Sequence, residues 1–209
     1  FNMYNGNITG NSTSGNGGGV SVFSYGQFNM YGGTITNNKA ATGGGVYVAD
    51  HATVTISGGT ITKNEATSDG GGMTVGNCQV TLSGKVTITG NKSTDGKNSN
   101  LYIKGGQGVT IDSSSFASTS KVVFKDRDDK YAGTDYITNA NDLKSNQLTC
   151  LTTDAGRQFV MAGEENKVYV ATVLKDKPTA QNLVYNGEEQ TGVIATADAG
   201  ECYTITGTT

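Results

Sequence analysis

Proline is nearly missing from this sequence: Pro178 is the single one in 209 residues. With 31 glycines present, that shortage excludes a collagen-like triple helix, which needs glycine at every third position and far more proline. Basic charge is equally sparse. Two arginines occur, Arg127 and Arg157, the net charge is −3, and there is no basic run. A phosphate-backbone partner calls for a basic stripe, so no nucleic-acid partner is expected. Long apolar runs are lacking too. The longest lies near Val168 to Leu174, far short of the roughly 18 residues of a membrane span, so no membrane insertion is expected. There is neither an initiator Met nor a signal-peptide shape, and Phe1 opens in mid-pattern. The chain therefore reads as a processed or trimmed piece. The three cysteines, Cys78, Cys150 and Cys202, are scattered without metal spacing, and an odd count leaves at least one unpaired within the chain. No cofactor or metal is expected.

Hydrophobic residues make up 34% of the chain, with Thr, Ser, Asn and Gly filling the difference. A chain this polar folds only if its few apolar residues recur with strict regularity. They do. Phe1-Asn2-Met3-Tyr4 returns as Phe28-Asn29-Met30-Tyr31, then as Val54-Thr55-Ile56-Ser57 and Val80-Thr81-Leu82-Ser83. A second strip reads Gly6-Asn7-Ile8-Thr9, Gly33-Thr34-Ile35-Thr36, Gly59-Thr60-Ile61-Thr62 and Val86-Thr87-Ile88-Thr89. A third reads Gly19-Val20-Ser21-Val22, Gly45-Val46-Tyr47-Val48, Gly72-Met73-Thr74-Val75 and Asn100-Leu101-Tyr102-Ile103. Isoleucines 8, 35, 61 and 88 step by 27, 26 and 27.

Each unit thus carries three short segments that alternate apolar and polar, the mark of strands with one buried face. No room remains for a helix, and a propeller blade needs about 40 residues or more. The fold class expected is all-β: a right-handed, single-stranded parallel β-helix with three short strands per turn of 26–27 residues. Each turn adds roughly 4.8 Å along the axis. The columns Phe1, Phe28, Val54, Val80, Val109 and Met3, Met30, Ile56, Leu82, Ile111 are expected inside. The isoleucine column is expected to continue to Phe116, with Val122 to Phe124 beginning the turn after it. Asn11, Asn38, Asn64 and Asn91 recur at the same spacing just after the isoleucine strand. Asparagine tolerates left-handed backbone angles, and amides stacked at one corner bond along the axis as a structural ladder.

After Phe124 the pattern decays. Three regions follow: residues 1–124 as β-helix repeats, 125–172 as closing turns with an irregular β cap, and 173–209 as a linker and a truncated second β module. The last stretch is too short to close a sandwich, which takes about 100 residues.

The repeats of residues 1–124 resemble the parallel β-helix repeats of large surface and adhesin-like proteins from gut Gram-positive bacteria. They are loosely similar to the Phe-x-x-Asn and Gly-Gly-Ala-Ile repeats of chlamydial polymorphic outer-membrane proteins. Here the motifs stand as Phe-Asn-Met-Tyr and Gly-Gly-Gly-Val, so the second departs from the pattern. Pro178 to Gly187 looks like the opening strand of an Ig-like module. The resemblance implies a secreted, cell-wall-associated protein with no catalytic residues.

Parallel β-helices also host pectate lyases and polygalacturonases, which need clustered carboxylates. The acids of the first four turns, Asp50, Glu65, Asp69 and Asp95, fall in loops, and no strand presents a pair two residues apart. His51 stands alone in a turn without a nucleophile motif, and a solvated loop residue is expected there. The Gly-Gly-Gly runs lack the Lys-Ser/Thr of a phosphate cradle and read as tight turns entering strands. Asp126 to Asp129 lacks the Gly and distal Glu of a calcium loop and reads as a solvated cap loop. The outward Thr34/Thr36, Thr60/Thr62 and Thr87/Thr89 array is ordinary strand surface. Tyr4 above Tyr31, and Tyr47 with Tyr102 two turns apart, offer rings on which sugars stack. The functional expectation is a non-catalytic adhesin or stalk binding glycans or host surface proteins. A polysaccharide-active enzyme is the rival.

Overall fold

A computed structural model describes residues 1–104, 108–125, 136–162 and 167–171. The chain coils as a parallel β-solenoid of about five turns. Strands β1 (Asn2–Met3), β2 (Asn7–Thr9) and β3 (Val20–Val22) make the first turn. The second holds β4 (Gln27–Met30), β5 (Thr34–Thr36), β6 (Lys39–Ala40) and β7 (Val46–Val48). The third holds β8 (Thr53–Thr62), β9 (Glu65–Ala66) and β10 (Met73–Val75), and the fourth β11 (Gln79–Ile88), β12 (Lys92–Ser93) and β13 (Leu101–Ile103). Up to Ile103 every strand ladder is parallel. The one antiparallel contact there is an isolated bridge between Lys92 and Asn98 that closes a turn.

Register follows the sequence repeat. Ile8 pairs with Ile35, Ile35 with Ile61 and Ile61 with Ile88. Met3, Met30, Ile56 and Leu82 form the neighbouring column. From the second turn onward these side chains are buried, while Thr34, Thr60 and Thr87 between them face outward. Fully burying one such side chain contributes about 1.5–3 kcal/mol, so a narrow interior filled like on like is enough to hold the coil.

Two features of each turn escape a three-strand reading. In the third and fourth turns the first two strips fuse into one long bent strand, β8 and β11, with the bend marked by a register shift between Leu82 and Lys85. A fourth short parallel ladder joins β6, β9 and β12 immediately after the asparagine column. It buries just Ala40 and Ala66, residues too small to stand out in the hydropathy pattern.

The fifth turn is cut short. It consists of β14 (Thr110–Ile111) and β15 (Lys121–Phe124). Val122 pairs with Ile88, so the isoleucine column continues to Val122 and not to Phe116. Phe116 is buried beside it, in a loop whose N–H donates to the Asp112 carbonyl. Phe124 pairs with Leu101, so β15 alone serves strips two and three. Val122 to Phe124 therefore completes turn five and does not begin turn six. Ile137 then bridges to Val109, and after a 3-10 turn (Ala140–Asp142) and the short helix α1 (Ser145–Leu148) strand β16 (Leu151–Thr153) pairs in parallel with β15. The carboxamide of Asn139 substitutes for a strand against β14: its Oδ1 accepts from Ile111 N at 3.0 Å and its Nδ2 donates to Ile111 O at 2.8 Å. Finally β17 (Gln158–Ala162) runs antiparallel to β16, and β18 (Lys167–Ala171) antiparallel to β17. The charged loop Asp126 to Asp129 and the stretch Pro178 to Gly187, expected to open an Ig-like module, lie outside the described residues.

Phe1 departs from its expected place. It stacks on Phe28 at 5.6 Å but is 69% exposed, whereas Met3 in the same turn is buried.

The corner before each ladder asparagine is left-handed: Gly10, Asn37, Lys63 and Gly90 have φ of 74°, 55°, 56° and 70°. The ladder asparagines themselves are not, so the strained position sits one residue earlier than the sequence suggests. That conformation costs an L-residue about 1–2 kcal/mol and is free for glycine. Lys63 is exposed. Lys63→Gly is therefore expected to stabilise the fold by about 0.5–1 kcal/mol after glycine's entropic loss, read as a higher denaturant midpoint.

Candidate functional site

The asparagine column is the most developed polar feature of the coil. From Asn38 onward, each amide oxygen accepts from the backbone N–H and from the Nδ2 of the asparagine one turn earlier. Asn38 Oδ1 takes both from Asn11, Asn64 Oδ1 from Asn38, and Asn91 Oδ1 from Asn64, all at 3.0 Å. Each Nδ2 also reaches the carbonyl of the preceding turn's isoleucine: Asn38 to Ile8, Asn64 to Ile35 and Asn91 to Ile61. Asn38, Asn64 and Asn91 are fully buried, whereas Asn11 is exposed. Paired so completely, these amides bear on stability.

The ladder ends on Asn100, whose Oδ1 accepts from Asn91 N at 2.9 Å and Asn91 Nδ2 at 3.1 Å. Asn100 stands where the other turns carry Gly19, Gly45 and Gly72, so a single exchange in the glycine column supplies the terminator. Those glycines pack directly on the ladder. A Cβ at Gly45 would lie 2.5 Å from the Gly72 carbonyl and 2.9 Å from Asn64 Nδ2. The Gly-Gly-Gly runs thus serve close approach as well as turning.

Outside the coil, Tyr4 and Tyr31 stack at 4.9 Å with planes 12° apart, 70% and 47% exposed. Tyr47 and Tyr102 share an outward column with Thr74 between them and are half-buried. The two pairs belong to different ladders, so the four rings do not converge on one site. A third aromatic pair went unread in the sequence although its 26-residue spacing was available: Tyr25 stacks on His51 at 5.4 Å and 16°. His51 is exposed, as a loop residue should be, but it is also the second ring of a column. Both stand on strained turns, with Ser24, Tyr25, Asp50 and His51 at φ of 51°, 63°, 54° and 62°.

The acids are dispersed. Glu65 pairs with Lys39 at 3.2 Å, and Asp95 with Lys97 at 2.8 Å. The Lys97 and Ser93 hydrogen bonds hold the Asp95 carboxyl well below the usual carboxylate range, and Ser114 and Ser115 do the same for Asp112. Both are turn-closing carboxylates exposed to solvent. Among the described residues no three of His, Cys, Asp and Glu come together in a way that could hold a metal ion.

Cys78 and Cys150 are free thiols, each half-buried; Cys202 lies outside the described residues. Burial pushes the Cys78 thiol up to about 11 from 9.0. Its thiolate fraction at neutral pH falls accordingly, and maleimide labelling of Cys78 is expected to run about a hundredfold slower than that of an unhindered cysteine. Labelling kinetics with Cys150→Ser and Cys202→Ser in place measure this directly.

No family model, curated protein or solved structure matches the chain.

Proposed function

We propose that this chain is a rigid, non-catalytic stalk of a secreted, cell-wall-associated protein, presenting aromatic rings to glycans or host surface proteins. The observation that carries the reading is the Tyr4–Tyr31 stack, two exposed and nearly coplanar rings held in register by the strands behind them. A tyrosine ring gives a sugar an apolar face while its hydroxyl remains free to hydrogen-bond. Being fixed by the coil, the rings lose little freedom on binding. Each contact is weak, and display of several chains on one surface multiplies them by avidity.

The engagement of Glu65, Asp95 and Asp112 in ion pairs and turn closure supports a non-catalytic role over the hydrolase or lyase alternative. The test is a glycan array probed with multivalent protein, repeated with Tyr4→Ala/Tyr31→Ala. A defined set of saccharides should bind, and the double variant should lose that binding at least tenfold while its β-structure persists. Binding unchanged in the variant, or no saccharide bound by the native chain, would overturn the proposal.

A further inference from the structure

Five Asn-Gly or Asp-Gly pairs stand in the chain: Asn5-Gly6, Asn16-Gly17, Asp69-Gly70, Asp95-Gly96 and Asn186-Gly187, the last outside the described residues. At such a pair the backbone can attack its own side chain. Glycine has no Cβ to hold its nitrogen away from the preceding carboxyl or carboxamide carbon. Whether attack occurs in the folded chain depends on what the glycine N–H is already bonded to.

In three of the described pairs that N–H is held elsewhere. Gly17 N donates to the Thr42 carbonyl of the next turn at 3.0 Å, and Gly96 N to the Ser93 carbonyl at 2.9 Å. Gly70 N donates to the buried Ser99 hydroxyl at 2.8 Å. Gly6 differs. Its N–H donates to Asn5 Oδ1 at 2.8 Å, so nucleophile and electrophile lie side by side. Its carbonyl accepts from Thr34 N at 2.9 Å, which anchors the residue on the ladder while leaving its N–H off it. This belongs to the position in the repeat: Gly33, with a turn on either side, likewise finds no acceptor for its N–H among the described residues. Gly32 and Gly58 stand at the place of Asn5 in the next two turns, so of these three bends the first alone carries a carboxamide. Asn5 and Gly6 are exposed, and a Cβ at Gly6 would meet nothing within 4 Å, so water and hydroxide reach the pair. Asn16 is exposed too, which leaves the bonding of the glycine N–H as the difference between them.

We infer that Asn5 is a site of spontaneous covalent modification, by closure to a succinimide and hydrolysis, and that the fold protects the other described pairs. Gly6 N attacks Asn5 Cγ as its proton passes to water or hydroxide. The N–Cγ bond forms, the Cγ–Nδ2 bond breaks, and Nδ2 leaves as ammonia. Water then opens the five-membered ring. Cleavage between N and Cγ leaves an aspartate. Cleavage between N and the main-chain carbonyl carbon leaves an isoaspartate, whose backbone runs through Cγ and is one carbon longer. Water is the sole co-reactant, and nothing is oxidised or reduced. Either product sets a carboxylate beside Tyr4, within a stretch, residues 1–38, that holds no Asp, Glu, Lys, Arg or His. The inference is independent of the glycan reading, because it is scored by mass and not by saccharide binding.

Peptide mapping by mass spectrometry of the folded 209-residue chain, incubated at mildly alkaline pH, tests it. Asn5 is expected to convert about tenfold faster than Asn16, whose glycine N–H must first leave its ladder bond by local opening. The Asn5 product should contain isoaspartate, which the ring route gives and direct hydrolysis does not. In concentrated urea the N–H groups of both pairs are released, and the two rates should come together. Comparable rates at Asn5 and Asn16 in the folded chain, or an Asn5 that stays intact there, would overturn the assignment. So would a product free of isoaspartate, or a rate ratio that persists in urea.

Discussion

Asn64→Ala is expected to destabilise the fold by about 3–5 kcal/mol, far more than truncation of a typical polar residue. Asn64 Nδ2 donates to Asn91 Oδ1, Ile35 O and Thr62 O, and its Oδ1 accepts two N–H groups from Asn38. Truncation leaves the buried Asn38 backbone N–H without its acceptor, and in the buried column it takes an acceptor from Asn38 Nδ2 and a donor from Asn91 Oδ1. Each buried group left unpaired costs about 1–3 kcal/mol. Asn11→Ala is the internal comparison: the same residue type in the same column, but exposed to solvent, so its loss should stay near 1 kcal/mol. Urea midpoints at constant slope check both. Equal losses would mean that the column contributes through turn geometry and not through buried amide pairing.

Gly45→Ala should cost about 3 kcal/mol, at the upper end of overpacking effects. The added Cβ would meet the Gly72 carbonyl at 2.5 Å, Asn64 Nδ2 at 2.9 Å and Ile61 Cγ2 at 3.0 Å, and none of the three can swing away. Backbone stands on one side and a fully bonded amide on the other. Gly15→Ala is the control, since its Cβ meets nothing closer than Thr13 Oγ1 at 3.6 Å, and it should change stability by less than about 0.5 kcal/mol. Because Gly45 and Asn64 form one packing unit, Gly45→Ala/Asn64→Ala should lose less than the sum of the two single changes.

The coil was legible where one large apolar residue recurs at one position in every turn. The isoleucines 8, 35, 61 and 88 and the asparagines behind them leave no other economical fold. Legibility failed where the inward residue is small or the turn changes length. Ala40 and Ala66 define a real ladder, yet alanine contrasts too weakly with the surrounding Lys and Thr to mark a strand. Phe116 was placed by its offset from Ile111, which assumes a turn of constant length. The Asp112–Ser114–Ser115 hydrogen-bonded loop instead carries the chain past that column before Val122 enters it. Asn100 was hidden for a different reason, because it ends the ladder from the glycine column and not from the asparagine column. The aromatic pairs were readable as spacings, but which rings converge depends on which ladder each belongs to. Tyr4–Tyr31 and Tyr47–Tyr102 could not be assigned to separate faces until the turns were closed.

Methyl–methyl NOEs between selectively labelled isoleucines and valines give the most direct test of the parallel register. Neighbouring turns lie roughly 4.8 Å apart and alternate turns roughly 10 Å, so contacts should follow the order of winding. The expected cross-peaks join Ile8 to Ile35, Ile35 to Ile61, Ile61 to Ile88, and Ile88 to Val122, with none between Ile8 and Ile88. A cross-peak between Ile8 and Ile88, or a column that skips Ile35 or Ile61, would contradict the parallel coil.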